Sequence, residues 1–189
     1  MVRASRLRAP VLALLLPILA GADESVPVAI QAELLTKVAA YDRNLPKRAG
    51  DRVITLILTK AHSTESERTA AAMQNALAAK TTVAGLPHVV ERAELSDPAS
   101  LAGICKAKHV AILYLTPGFE DAEVAAIAAA LDGVDVLTVS AVARYLSKGL
   151  VLGLDVVSGR PKLHFSIGRS RRQGIAMSAT VLALMEVHE

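Results

Sequence analysis

The sequence predicts a single-domain α/β layered sandwich, with a mainly parallel sheet that ends in a C-terminal antiparallel hairpin and a terminal helix. Three observations predict it. Four short apolar runs rich in branched residues alternate with helix-like stretches, the pattern of parallel strands joined by crossovers. Two further strand-like runs meet across Ser158-Gly159-Arg160, the spacing of a hairpin with a glycine turn. The chain is 52% hydrophobic and shows no internal repeat or low-complexity linker, which fits one packed core.

The elements follow in order. Ala29 to Tyr41 places Ile30, Leu34, Leu35, Val38 and Ala39 on one helical face. That helix stops near Asn44-Leu45-Pro46, because the residue before proline is pushed out of the helical region. Lys47 to Asp51 reads as a polar connector. Val53 to Leu58 is a continuous apolar run suited to a strand buried on both faces. Thr64 to Glu67 has capping-box spacing and opens an alanine-rich helix to Lys80. Gly85-Leu86-Pro87 breaks it, and His88 to Glu94 is the second strand. Asp97 caps a helix with Pro98 in its first turn, running to Lys106. His109 to Leu115 is the third strand. Pro117-Gly118 turns the chain into a helix opened by Glu120 and Asp121 and closed by Asp132-Gly133. Val134 to Val139 is the fourth strand, and Ser140 caps a short helix ending near Gly149. Leu150 to Val157 and Pro161 to Ile167 form the hairpin. A basic segment, Arg169 to Gln173, leads through Gly174 to a final helix from Ile175 to Val187.

The first 22 residues read as a cleaved secretory signal. Arg3, Arg6 and Arg8 precede an uncharged run from Ala9 to Ala22 that ends in Ala20-Gly21-Ala22. The run is too short for a spanning helix, which needs about 20 apolar residues. The expected domain is residues 23–189 in the periplasm. The whole chain carries 21 Lys+Arg against 18 Asp+Glu. Removing the three leader arginines leaves 18 of each, so the basic pI near 9.2 belongs to the leader and argues for no nucleic-acid partner. Cys105 is the only cysteine, so no internal disulfide forms. Burial is its expected state; pairing between chains is the alternative, and a homodimer stays open.

Enzyme motifs are missing: no Gly-x-Ser-x-Gly elbow, no phosphate-binding Gly-x-x-x-x-Gly-Lys loop and no Gly-x-Gly-x-x-Gly after the first strand. His62, His88, His109, His164 and His188 show no metal-ligand spacing with one another or with Cys105. No catalytic, cofactor-binding or metal-binding residue is assigned. The crevice near His62 and Pro117, with Glu65, Glu67 and Arg68 beside it, is either a small-solute pocket at strand carboxyl ends or a capped helix start. Arg169, Arg171 and Arg172 either grip a carboxylate or phosphate on a partner or make a solvated turn. Five aromatic residues and no Trp give little for stacking on sugars or bases.

The C-terminal third resembles a known closing pattern. A glycine-led strand from Gly149 meets Gly159-Arg160, then a second strand through Phe165, paired Arg171-Arg172, Gly174 and a terminal helix. It is similar to the YfiR/HmsC-like family of periplasmic proteins. Val110 to Leu115 and Val134 to Ser140 fit the family's middle. The chain departs from it where the family's first helix ends in Trp-Pro and this one reads Tyr41-Asp42-Arg43-Asn44-Leu45-Pro46, and in its lone, early Cys105. The resemblance implies a non-enzymatic regulator without a cofactor. Its partner would be a membrane-bound signalling protein, through the periplasmic sensor part of an inner-membrane diguanylate cyclase. Exposure and charge single out Arg160, Arg171 and Arg172 as contact residues.

Overall fold

The computed structural model describes residues 25–189. The leader expected over 1–22, and its cleavage point, lie outside the described residues. The described chain runs α1 (Val28–Ala39), α2 (Leu45–Ala49), β1 (Val53–Lys60), α3 (Thr64–Ala78), β2 (Thr82–Val83), β3 (Leu86–Leu95), α4 (Pro98–Lys108), β4 (Val110–Leu115), α5 (Asp121–Ala130) and β5 (Leu137–Ser140). A 3-10 helix (Ala143–Lys148) then leads to β6 (Leu152–Val157), β7 (Arg160–Ser166), α6 (Ile167–Arg172), α7 (Ala179–Leu182) and β8 (Glu186–His188).

The strands form one sheet in the order β2-β3-β1-β4-β5-β6-β7-β8. From β3 to β6 all neighbours are parallel. β6 and β7 pair antiparallel as the expected hairpin, and β8 runs parallel to β7. The α/β class with a mainly parallel sheet and an antiparallel hairpin is therefore present. β3 lies on one side of β1 and β4 on the other, so the order of connection reverses between β1 and β4.

The position of β1 explains why its sequence is mostly apolar. Val53 and Ile57 face a core shared with Leu35 and Val38 of α1 and Met73 and Leu77 of α3. Ile54, Leu56 and Leu58 face the opposite core, with Leu101 of α4, Val124 and Ile127 of α5, and Tyr145 of the 3-10 helix. A strand covered on both faces has no solvent side to make polar. β3, one strand from the edge, instead alternates between half-buried and exposed residues over most of its length.

Several local expectations are corrected. Ser63, not Thr64, caps α3, its hydroxyl accepting from the Ser66 N–H. Pro46 sits inside the start of α2, so the connector is a helical turn; proline is tolerated there because it needs no intrahelical donor. α4 continues to Lys108, and His109 takes the left-handed conformation that ends it. Ser140 belongs to β5, though its hydroxyl does accept from Val142 N–H at the turn that follows. β2 is a two-residue strand turned by Ala84-Gly85 onto β3. Arg169–Arg172 is helical, as part of α6. The final helix shrinks to α7, and the segment beyond it becomes β8.

Candidate functional site

Among the described residues, polar side chains that bear on function gather at the two ends of the sheet and at its far edge. The carboxyl ends of β1 and β4 frame the connection-reversal point, where open α/β sheets hold small ligands. Here the chain fills that crevice itself. Ser66 Oγ and Thr116 Oγ1 are hydrogen-bonded at 2.5 Å. Thr116 Oγ1 donates to the Leu58 carbonyl at 2.9 Å, and the Lys60 N–H donates to Ser66 Oγ at 2.8 Å. Gly118, at φ +104°, approaches so closely that a Cβ there would lie 2.7 Å from Ser63 Oγ. Lys60 Nζ then reaches Glu123 at 2.7 Å. That ion pair holds the Glu123 carboxyl below its usual range, helped by the Glu120 N–H. His62 lies in the left-handed region and has no part in these bonds. Glu65 is exposed, and Glu67 pairs with Arg92 of β3. The loops beside the expected pocket near His62 and Pro117 are thus tied to each other by hydrogen bonds through Ser66 and Thr116.

The amino end of the sheet carries the arginine cluster. α6 aims Arg169 inward, where the guanidinium is buried. Arg169 Nη1 donates to Asp132 at 2.9 Å, and its Nη2 donates to the Ala128 carbonyl at the end of α5. Burial pulls against the Arg169 charge and Asp132 supports it. Arg169 therefore latches α6 onto α5. Arg172 stands outside with its Nε 3.5 Å from the same Asp132, and Arg171 is exposed. An open groove of about 460 Å³ runs beside them, lined by Asp132, Lys148, Arg169 and Arg172 among others.

Arg160 is also exposed, but at the tip of the β6–β7 hairpin. The whole of β7 separates it from α6, about 20 Å at roughly 3.3 Å per residue. The three arginines singled out in the sequence therefore divide into a pair at one end of the sheet and a single residue at the other.

The far edge holds residues that no sequence spacing indicated. His164 of β7 stands opposite Glu186 of β8, and His188 follows two residues on. Asp155 of β6 joins the same face. Glu186 and His188 share a face only because their segment is a strand; a helix over Ile175 to Val187 would have separated them.

The comparisons agree with this fold. No curated protein matches the chain. Among solved structures, the ABC domain from Streptococcus pneumonia in complex with L-Trp superposes with a TM-score of 0.57 at 12% identity, over 80% of this chain and 62% of that one. A conserved domain protein from Vibrio cholerae O1 biovar El Tor matches with a TM-score of 0.62 at 12% identity, over 88% and 61%. The ligand-free, open structure of a substrate-binding protein with adhesive properties from Clostridium difficile matches with a TM-score of 0.61 at 11% identity, over 87% and 60%. The chain thus spans about three fifths of the length of these structures and shares their fold. The YfiR/HmsC-like family model matches residues 28–186, from the first helix into the last strand, and the protein belongs to that family.

Proposed function

We propose that the protein is a non-enzymatic periplasmic regulator, delivered by a cleaved leader, that binds the periplasmic sensor part of an inner-membrane diguanylate cyclase and represses it. Membership of the YfiR/HmsC-like family is the observation that carries this reading. The filled crevice between β1 and β4 supports it, since the usual small-ligand position of such a sheet is taken up by Ser63, Ser66, Thr116 and Gly118. The contact surface centres on Arg171 and Arg172 beside the groove at the end of α5. Arg160 joins only if the partner spans the length of β7.

The mechanism is differential binding. A regulator shifts a two-state partner only by preferring one state. Driving a cyclase from almost fully active to almost fully inactive takes about a 10⁴-fold preference for the inactive form. Release would raise cyclic di-GMP inside the cell and favour biofilm growth. The test is deletion followed by complementation. Intracellular cyclic di-GMP rises on deletion, returns with the wild-type chain, and stays high with the R171E/R172E double variant. Restoration by that variant would remove the pair from the interface, and an unchanged level on deletion would overturn the reading.

A small-solute binding module is the second reading, favoured by the fold shared with an L-Trp complex and a substrate-binding protein. Free L-tryptophan is the probe. A saturable rise in melting temperature would favour solute binding, through selective stabilisation of the folded form; a flat response favours the regulator.

A further inference from the structure

We propose that His164, Glu186 and His188 form a binding site for a divalent transition-metal cation of the zinc type, which clips the edge strand β8 to β7. One ligand atom from each residue lies within 4.8 Å of the other two. His164 Nδ1 is 3.1 Å from His188 Nε2. Glu186 Oε2 lies 3.9 Å from His164 Nδ1, and Oε1 lies 4.0 Å from His188 Nε2. A tetrahedral zinc ion with bonds of about 2.0–2.1 Å needs its ligand atoms about 3.3 Å apart. The nitrogen pair lies slightly inside that spacing and each carboxylate oxygen slightly outside it from its own histidine, so a small turn of the Glu186 side chain completes the tripod. Two imidazoles and one carboxylate suit zinc, copper or nickel and disfavour magnesium or calcium, which take all-oxygen sites.

A second observation points the same way. His164 Nε2 is buried and has no hydrogen-bond partner. It faces Asp155 Oδ2 at 3.8 Å. A histidine that ligates through one nitrogen characteristically offers its other N–H to a carboxylate, which fixes the ring and raises its basicity. Binding through Nδ1 places the His164 proton on Nε2, toward Asp155. The orphaned nitrogen is then the outer arm of a carboxylate–histidine–metal chain.

The fold also supplies room and access. The 3-10 helix lays Leu146 against Gly153 of β6. It leaves a cavity of about 290 Å³ lined by Ala143, Leu146, Ser147, Asp155, His164 and His188. Water or a partner's side chain can enter there as the fourth ligand. Lys162 Nζ also bonds Glu186 Oε2 and opposes a cation. It occupies Oε2, the oxygen 3.9 Å from His164 Nδ1, and leaves Oε1, 4.0 Å from His188 Nε2, as the oxygen that the metal takes.

β8 has three residues, and β7 is its one strand neighbour among the described residues. A cation bound to one residue of β7 and two of β8 would therefore set the stability of this edge. Zinc added to the mature chain, free of any affinity tag, is the test. One equivalent should bind, as titration calorimetry reads it. It should raise the melting temperature and slow amide exchange in β8, whereas magnesium should do neither. His188→Ala and Glu186→Gln, both at solvent-accessible side chains, should fold with an unchanged circular dichroism spectrum and lose zinc binding. Asp155→Asn should weaken binding by about 10- to 100-fold without abolishing it, as loss of an outer-shell carboxylate does. Absence of stoichiometric zinc binding by the wild-type chain, or undiminished affinity in H188A and E186Q, would overturn the site.

Discussion

Asp42 shows how a single residue joins distant parts of the chain. Its Oδ2 accepts from Arg48 Nη2 at 2.6 Å, and its Oδ1 accepts the N–H groups of Asn44 at 3.0 Å and Ala176 at 2.9 Å. Both side chains of the ion pair are buried. Removing one partner leaves the other as an uncompensated charge. Asp42→Ala should therefore cost about 3–5 kcal/mol in urea denaturation. His88 is tuned by burial in the opposite sense to a surface histidine. Its ring is held below the ordinary histidine value by burial, against the pull of the Lys80 carbonyl. Both ring nitrogens are engaged at 2.8 Å: Nδ1 donates to the Lys80 carbonyl, and Nε2 accepts from the Thr55 hydroxyl. As the pH falls, the unfolded ring takes up its proton first. The stability His88 contributes is complete above about pH 6.5 and is lost as pH falls through the lower folded-state value. His88→Gln should flatten the acid limb of stability, read from denaturation midpoints on both sides of that pH. Cys105 is buried on α4, and burial pushes its thiol up to about 11. It should resist a disulfide reagent in the native protein and react fully once denaturant is added. Rapid native labelling would contradict its burial.

At the scale of elements, the apolar runs were legible because β1 and β4 are covered on both faces and their sequences carry no polar side. The hairpin was legible from Ser158-Gly159, both at positive φ in the turn between β6 and β7. The C-terminal segment was not. Ala176, Ala179, Leu182, Ala183 and Met185 favour helix by composition, whereas Glu186 to His188 is strand because β7 offers it an open edge. Propensity yields there to tertiary pairing. The candidate sites follow the same division. Arg171 and Arg172 are exposed as a charged run suggests, but Arg169 is an internal latch on α5, because its partner Asp132 lies 37 residues away. The histidine–carboxylate group was invisible for the same reason, since 24 residues separate His164 from His188. The closed junction between β1 and β4 makes a prediction of its own. Gly118→Ala puts a Cβ against Ser63 at a backbone angle that favours glycine. The variant should lose about 1–3 kcal/mol, measured as a lowered denaturation midpoint.

At the scale of the whole molecule, the sheet separates its working surfaces. The amino end presents Arg171 and Arg172 beside a groove, the loops at the carboxyl ends of β1 and β4 are tied by hydrogen bonds, and the far edge carries His164 and His188. No helix among the described residues is long and apolar enough to cross a membrane. On the proposed function, exchange of charge at Arg171 and Arg172 should change partner capture and leave folding untouched, because neither side chain is buried. The most direct measurement places a photocrosslinking amino acid at position 171 in living cells and identifies the adduct by mass spectrometry. The account predicts a covalent product with the periplasmic sensor part of an inner-membrane diguanylate cyclase, lost when the cyclase gene is deleted. An adduct to some other protein, or none from a folded, exported chain, would contradict it.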